Sequence, residues 1–420
     1  MKIKEIDEKT FDSYANTHEY ASIYELSGWG KLKELTGWKY YLIGLYDSDE
    51  KIKGATLLLS KKTLKNKYLF YSPRGYLVDA KNKKLLSEFH KLVIDFVKNH
   101  NGFMLKIDPN VIYKTYDKDG VELSFDGKDS FDNYLSLGFK HFGFNKNFET
   151  LQPRYLCRFK LADTYEDTLN SFSKSTRKNI EKATSMGVKV KKLDVKDTKI
   201  FTDVLNKTAQ EKDFVIRPTS YYEKMYNQLE DYMALYVTYI DTEEYYSNLV
   251  KEQKEIEKSI DELNELKTKI NVGDKIKKQE EDLANKKEKI AKDIEYAKTL
   301  KEKGKEINIG ALMSLFVGSE AVTFMSGTLS EYKEFYPKYA YYNKHIMDAL
   351  KLKKEYVNFY GISGDLNKNN KYYGIYEIKK GYNPEIIELL GEFDFVIKPF
   401  IYRLYKFGLK LYKLKKKILK

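Results

Sequence analysis

The stretch 40-YYLIGLYDSDEKIKGATLLLS-60 reads as two strands about a turn. Aromatic, branched and aliphatic residues crowd on both sides of Asp47-Ser48-Asp49-Glu50, and short apolar runs bounded by such a polar cluster are the mark of paired strands. The pattern continues outward: 67-KYLFYSPRGYLV-78 predicts a third strand, 84-KLLSEFHKLVIDFVKNH-100 a helix and 103-FMLKIDP-109 a further strand. In that helix Leu85, Leu86, Phe89, Leu92, Val93, Phe96 and Val97 fall on one face.

The same order returns between residues 233 and 363, as MALYVTYID, ALMSLFVG, AVTFMSGTL, a helix over 339-YAYYNKHIMDALKLKK-354 and the strand YVNFYGIS. Two copies of one α/β unit are implied. Helical material precedes each copy, in 19–37 and in 165–187 with 196–213. This strand and helix order predicts twin acyltransferase-like domains of the GNAT type.

The copies differ at one junction. The first joins its opening strands by DSDE, whereas the second holds residues 242 to 306 there. Within that insertion Leu249, Ile256, Leu263 and Ile270 recur every seven residues, as do Ile276, Leu283, Ile290 and Ala297, and Asn271-Val272-Gly273-Asp274 supplies a turn. The expectation is an antiparallel coiled-coil hairpin of two helices of roughly 25 residues, projecting on the order of 40 Å at 1.5 Å per residue. Its thin seams and many lysines suggest an arm that buries little and exposes a long basic surface. Such an arm fits a spacer or dimerisation device as well as a nucleic-acid dock. The expected organisation is 1–150, first domain; 151–242 and 306–397, second domain; 243–305, arm; and 398–420, a basic tail.

Hydrophobic residues make up 42% and aromatics 15% of 420 residues, enough for packed cores despite 33% charge. The net charge of +13 fits a polyanionic partner or simply a lysine-rich solvated surface. Cys157 is the single cysteine, which excludes an intramolecular disulfide and a multi-cysteine zinc site and predicts an inert buried thiol. The beginning of the chain has no apolar signal core, and 311-ALMSLFVGSEAVTFM-325 is too short and interrupted to span a bilayer. A cytoplasmic protein is expected. The five histidines form no HxxxH or HxxE pair, so no metal site is expected. Nor does the sequence offer the Q/R-x-x-G-x-G/A turn with which a GNAT enzyme holds the pyrophosphate of acetyl-coenzyme A. After the third strands stand 71-YSPRGYLVD-79 and 326-SGTLSEYKEFYP-337 instead.

The set 28-GWGKLKELTGW-38, 71-YSPRG-75, 105-LKIDP-109, 208-TAQEKDFVIRPTSYY-222, 361-GISGD-365 and 374-GIYEIKKGY-382, in this order and spacing, resembles the FemA/FemX/MurM group of non-ribosomal peptidyltransferases. The resemblance spans nearly the whole chain. It implies twin GNAT-like domains with a helical hairpin in the second, as in the FemA and MurM branches. It also implies an aminoacyltransferase that moves an amino acid from aminoacyl-tRNA to an amine of the peptidoglycan stem peptide, usually on lipid II. An aminoacyl ester is already activated, so no cofactor, metal or nucleotide is called for. The enzyme has to place the amine, manage a proton and stabilise an oxyanion. Another acyl donor, a UDP-linked precursor, or a tRNA-binding scaffold with a dead cleft fits the same pattern.

Asp108 closes the strand of 105-LKIDP-109, where a carboxylate can orient or deprotonate the attacking amine or merely cap a turn before Pro109. The resemblance implies that Lys33 and Arg217 hold precursor phosphates, chemistry suited to a point charge and a bidentate fork. It places Lys379 at the tRNA acceptor end or the developing oxyanion, with Lys380 as an adjacent alternative. Ile378 stands where the family commonly has Phe, which weakens stacking on the terminal adenine. Arg74 and Gly75 are read as mainly structural with a contribution to the precursor groove, and Tyr221 and Tyr222 as packing residues. The tail 401-IYRLYKFGLKLYKLKKKILK-420 fits peripheral contact with anionic lipid at the inner face of the membrane, and equally a solvated or docked helix. Oligomeric state stays open.

Overall fold

In a computed structural model the described residues are 1–146, 151–269 and 273–418. The opening stretch forms β2 (Lys39–Tyr46) and β3 (Ile52–Leu64), antiparallel, with Tyr40 opposite Leu59 and Gly44 opposite Ala55. Its apolar residues do not alternate with polar ones because the sheet is covered on both faces. Tyr41, Ile43, Leu45 and Leu58 pack with Phe89, Val93 and Val97 of the Lys83–Asn99 helix. Leu42, Leu57 and Leu59 face the other way, into a core they share with Leu205, Leu229, Leu235 and Leu315 of the second unit.

The first sheet is completed by β1 (Lys2–Glu5), β4 (Lys67–Ser72), β5 (Gly102–Ile107), β8 (Lys140–His141) and β16 (Phe393–Val396), in the order β1-β2-β3-β4-β5-β16-β8. The third strand is shorter than the sequence suggested. It stops at Ser72, where Pro73 cannot donate to a ladder, and Leu77 returns only as a single bridge to Ala55. The strands β4 and β5 run parallel, joined by the crossover helix.

The second sheet holds β10 (Val188–Leu193), β11 (Met233–Asp241), β12 (Glu306–Val317), β13 (Glu320–Thr328), β14 (Tyr356–Ile362), β9 (Tyr155–Lys160), β15 (Glu385–Leu389), β6 (Ile112–Tyr116) and β7 (Glu122–Ser124), in that order across the sheet. Its β11-β12-β13 meander, the Pro337–Lys351 helix and parallel β14 repeat the first unit, a GNAT-like mixed α/β arrangement twice over. Sheet membership crosses between the units in both directions. β6 and β7 pair into the second sheet, and β16 pairs with β5 and β8 of the first.

Between β11 and β12 stand two long helices, Thr242–Lys269 and Asp274–Lys303, which pack on each other. Leu249, Ile256, Leu263, Ile276, Leu283, Ile290 and Ala297 are all buried. Ile270, Asn271 and Val272 of the expected seam and turn lie outside the described residues. Two expectations for this insertion change. Its base is packed into the main core, with Tyr245 edge-on to Phe335 at 5.1 Å and Leu300 and Ala297 wholly buried. Nor is it basic: residues 243–305 hold 16 lysines and 16 Asp or Glu. Several of these pair, as in Lys267 to Glu280 at 2.7 Å and Lys301 to Glu243 at 2.9 Å.

Candidate functional site

The parallel strands β4 and β5 end side by side, Ser72 opposite Ile107, and the residues that follow them meet. Asp108 is buried there. Its Oδ1 accepts from the Tyr71 hydroxyl at 2.9 Å and from the Arg74 backbone N–H at 3.0 Å. Its Oδ2 has no hydrogen-bond partner among the described residues and faces Arg74 Nη1 at 3.9 Å. Burial pushes the carboxyl up to about 6, against the pull of Arg74. Such a group is ionised at neutral pH yet close to proton exchange.

Arg74 is therefore more than a turn residue. Its guanidinium is buried, and its Nη2 donates to the Pro153 carbonyl at 2.7 Å on the chain entering the second sheet. Gly75 is required by its surroundings, since a Cβ there would lie 2.1 Å from Oε1 of the buried Glu25. Across the seam, the Tyr24 and Tyr360 hydroxyls are 2.7 Å apart and Tyr360 donates to Gln152 Oε1 at 2.8 Å. Arg74 and Tyr360 both hold φ at +62°, a left-handed backbone that costs a bulky residue on the order of 1–3 kcal/mol and gathers at functional sites. Sequence reading missed Tyr24, Tyr360 and Gln152, whose contacts join positions hundreds of residues apart.

Lys33 and Arg217 are neighbours. The Ser27–Glu34 helix lies against the Thr219–Leu229 helix so closely that a Cβ on Gly28 would sit 2.1 Å from the Gln228 carbonyl oxygen. Lys33 rests over the Trp29 ring at 4.6 Å, and burial, then Arg217 and Lys61, lower its pKa. Among the described residues no carboxylate pairs with Lys33, Lys61 or Arg217. Three neighbouring cations without an anion form a place for one. The Trp29 ring in turn packs edge-on to Tyr24 at 4.6 Å, which links this cluster to the seam.

Lys379 lies in the Tyr373–Lys380 helix. The structure separates it from its neighbour: Lys380 turns outward to Asp119 at 2.5 Å, whereas Lys379 is buried and donates to the Gly361 carbonyl at 2.8 Å. Burial pulls its pKa down to about 8, and Lys338 adds to the effect. Cys157, buried beside it, has its thiol pushed up to about 12 by burial. Lys379 lines a cavity of about 810 Å³ with Lys212, Lys338 and Lys371. The cavity exists because β13 and β14 pair only from Glu320–Val322 to Tyr356–Asn358 and then part. Ile378 lines it as well, and Phe324, Phe359 and Tyr372 supply the aromatic faces that Ile378 does not. Phe324 and Tyr360 border both this cavity and the smaller one behind Tyr24 and Arg74. A seam of contacts thus runs from Lys33 and Arg217 through Trp29 and Tyr24 to Arg74 and Asp108, and by the shared lining residues Phe324 and Tyr360 to the cavity of Lys379. Tyr221 is packed beneath Arg217, whose guanidinium lies 5.7 Å from its ring, and Tyr222 is buried.

Residues 6–410 match the model of the FemAB family. Aminoacyltransferase FemA of Staphylococcus epidermidis is 31% identical over 420 residues, 99% of this chain and 100% of that protein. Aminoacyltransferase FemA of Staphylococcus aureus is 30% identical over 403 residues, 95% of each. Among solved structures, FemX superposes with a TM-score of 0.79 at 25% identity, covering 96% of this chain and 99% of that one. A match along the whole length, in a fold whose seam gathers these residues, means that the chain belongs to the FemAB family.

Proposed function

We propose that this FemAB aminoacyltransferase moves an amino acid from aminoacyl-tRNA onto the stem-peptide amine of lipid II, building the peptidoglycan cross-bridge. The observation that carries the reading is the seam itself. It has an unpaired cationic trio at one end, a lysine-lined cavity at the other, and a buried carboxylate with one loosely held oxygen between them.

In this reading Lys33 and Arg217, with Lys61, hold the precursor's diphosphate. The cavity takes the acceptor end of the tRNA, its lysines against phosphate and its aromatics against a base. The acceptor amine attacks the ester carbonyl, the carbonyl oxygen gains charge and the amine becomes cationic. Asp108 takes the surplus proton at Oδ2 once the amine displaces the long 3.9 Å contact with Arg74. Lys379 stabilises the oxyanion, and as the ester C–O bond breaks the ribose oxygen leaves with the proton that Asp108 took from the amine, which returns Asp108 to its carboxylate. Arg74 positions Asp108 and ties it to the second unit through Pro153. The lipid anchor of the acceptor places the reaction at the inner membrane surface.

The test is transfer of radiolabelled amino acid from a panel of aminoacyl-tRNAs to purified lipid II. Labelled lipid product with at least one tRNA supports the reading. Product with UDP-linked precursor and none with lipid II reassigns the acceptor, and tRNA binding without product for either makes the protein a scaffold.

A further inference from the structure

We propose that the Pro399–Ile418 helix is a docking surface for an anionic lipid bilayer. Seven large hydrophobic side chains on it are open to solvent, and five of them form one stripe: Phe400 at 71%, Leu404 at 47%, Phe407 at 61%, Leu411 at 50% and Leu414 at 48% exposure. Their 4-3-4-3 spacing sets them within about 80° of one another at 3.6 residues per turn. Near its start the other side of the helix is docked on the body. Tyr405 packs edge-on to Phe103 of β5 at 5.4 Å, and the Tyr402 hydroxyl donates to Asp394 of β16 at 2.9 Å. These contacts turn the stripe away from the body at the first two turns, and from Lys406 to Lys415 every described side chain is exposed.

Charge selects the occupant. Residues 398–420 hold eight lysines, one arginine and no acidic residue, so nine of the net thirteen positive charges of the chain lie here. Arg403, Lys410 and Lys415 flank the stripe within about 60–80°. A second copy of the chain would bring two such segments into repulsive contact. A soluble polyanion would use the charges but not the stripe. An apolar stripe fringed by cations suits the boundary between acyl chains and anionic headgroups. No helix among the described residues is long and apolar enough to cross a membrane, so this one lies along the surface. The proposal rests on the lipid-linked acceptor only for its purpose, bringing the cleft to the plane where that substrate lies.

The test is co-sedimentation of the full chain with vesicles of phosphatidylcholine alone and of an equal mixture of phosphatidylcholine and phosphatidylglycerol, without lipid II or tRNA. Binding is expected to be at least about tenfold stronger on the anionic vesicles and to weaken with salt. The variant carrying Leu404→Ser, Phe407→Ser and Leu411→Ser should lose at least about tenfold on the same vesicles. It should keep the circular dichroism and melting temperature of the parent, because these side chains are exposed. Replacing Arg403, Lys410 and Lys415 by Gln removes three of the nine cations and should weaken the anionic preference severalfold. Unchanged binding by the triple Ser variant, or no binding to anionic vesicles, overturns the proposal. So does a dimer in sedimentation velocity that the triple Ser change dissolves, which would make the stripe a contact between copies. The vesicles hold no acceptor, so failure here and failure of the transfer assay are separate results.

Discussion

Two buried ionisable groups, a carboxyl raised to about 6 at Asp108 and an ammonium lowered to about 8 at Lys379, bracket neutral pH. If the first must be ionised and the second protonated, kcat/KM should climb as pH rises through about 6 and decline above about 8. Asp108→Asn should lower turnover by roughly 10²–10⁴-fold and remove the acid limb, with both substrates still bound. A retained acid limb in a pH-rate profile of the variant would assign that limb elsewhere. Lys379→Met should remove transfer while leaving thermal stability equal or higher at pH 7. The sign follows from linkage: a lysine whose folded pKa is below its unfolded value is destabilising wherever it is charged in both states, here below about 8, and the cost fades as pH rises toward 10.5. That shift corresponds to on the order of 3 kcal/mol, offset in part by the bond to Gly361. Calorimetric melting at pH 7 decides it, a large drop in Tm making Lys379 a structural residue. Lys33→Ala and Arg217→Ala should each weaken precursor binding by roughly 1.5–3 kcal/mol and leave tRNA binding nearly intact, as titration calorimetry with each substrate would show.

At the scale of elements, the inserted helices are two things in one. Among the described residues Leu263, Ile276 and Leu283 of the distal part form a cluster of their own, while Tyr245, Ile294, Ala297 and Leu300 belong to the main core. Shortening the hairpin beyond Ile256 and Ile290 should leave Tm within a few degrees of the parent. Excising 243–305 entirely should destabilise the protein, because it takes Tyr245, Ile294 and Leu300 out of the main core and each large buried side chain lost there costs roughly 2–5 kcal/mol. Thermal melts of the two deletions separate these outcomes. An arm with equal numbers of both charges releases few counterions, so the shorter deletion should also leave the salt dependence of tRNA binding unchanged.

At the scale of the whole molecule, the two GNAT-like units are not independent. They exchange strands in both directions, share the core around Leu57, Leu59, Leu235 and Leu315, and meet at Arg74 to Pro153 and Tyr24 to Tyr360. Unfolding should therefore be a single cooperative transition, with calorimetric and van't Hoff enthalpies equal. Two resolved transitions would mean that the shared core contributes little.

Sequence alone determined what depends on neighbours along the chain. The strand and turn pattern around Asp47–Glu50, the helical face from Leu85 to Val97, the doubled unit and the heptads from Leu249 to Ala297 are local periodicities, which a single chain displays in full. Asp108 and Lys379 were singled out through the motifs around them, and the neutral balance of the arm was there to be counted. Tertiary structure alone decided the rest. Which oxygen of Asp108 lacks a hydrogen bond, that Arg74 joins Asp108 to Pro153, that Tyr24 reaches Tyr360, that Lys379 rather than Lys380 faces the cavity, and that β16 closes the first sheet all rest on contacts between residues far apart in sequence. Such contacts are fixed by packing, and packing leaves no period in the sequence to read.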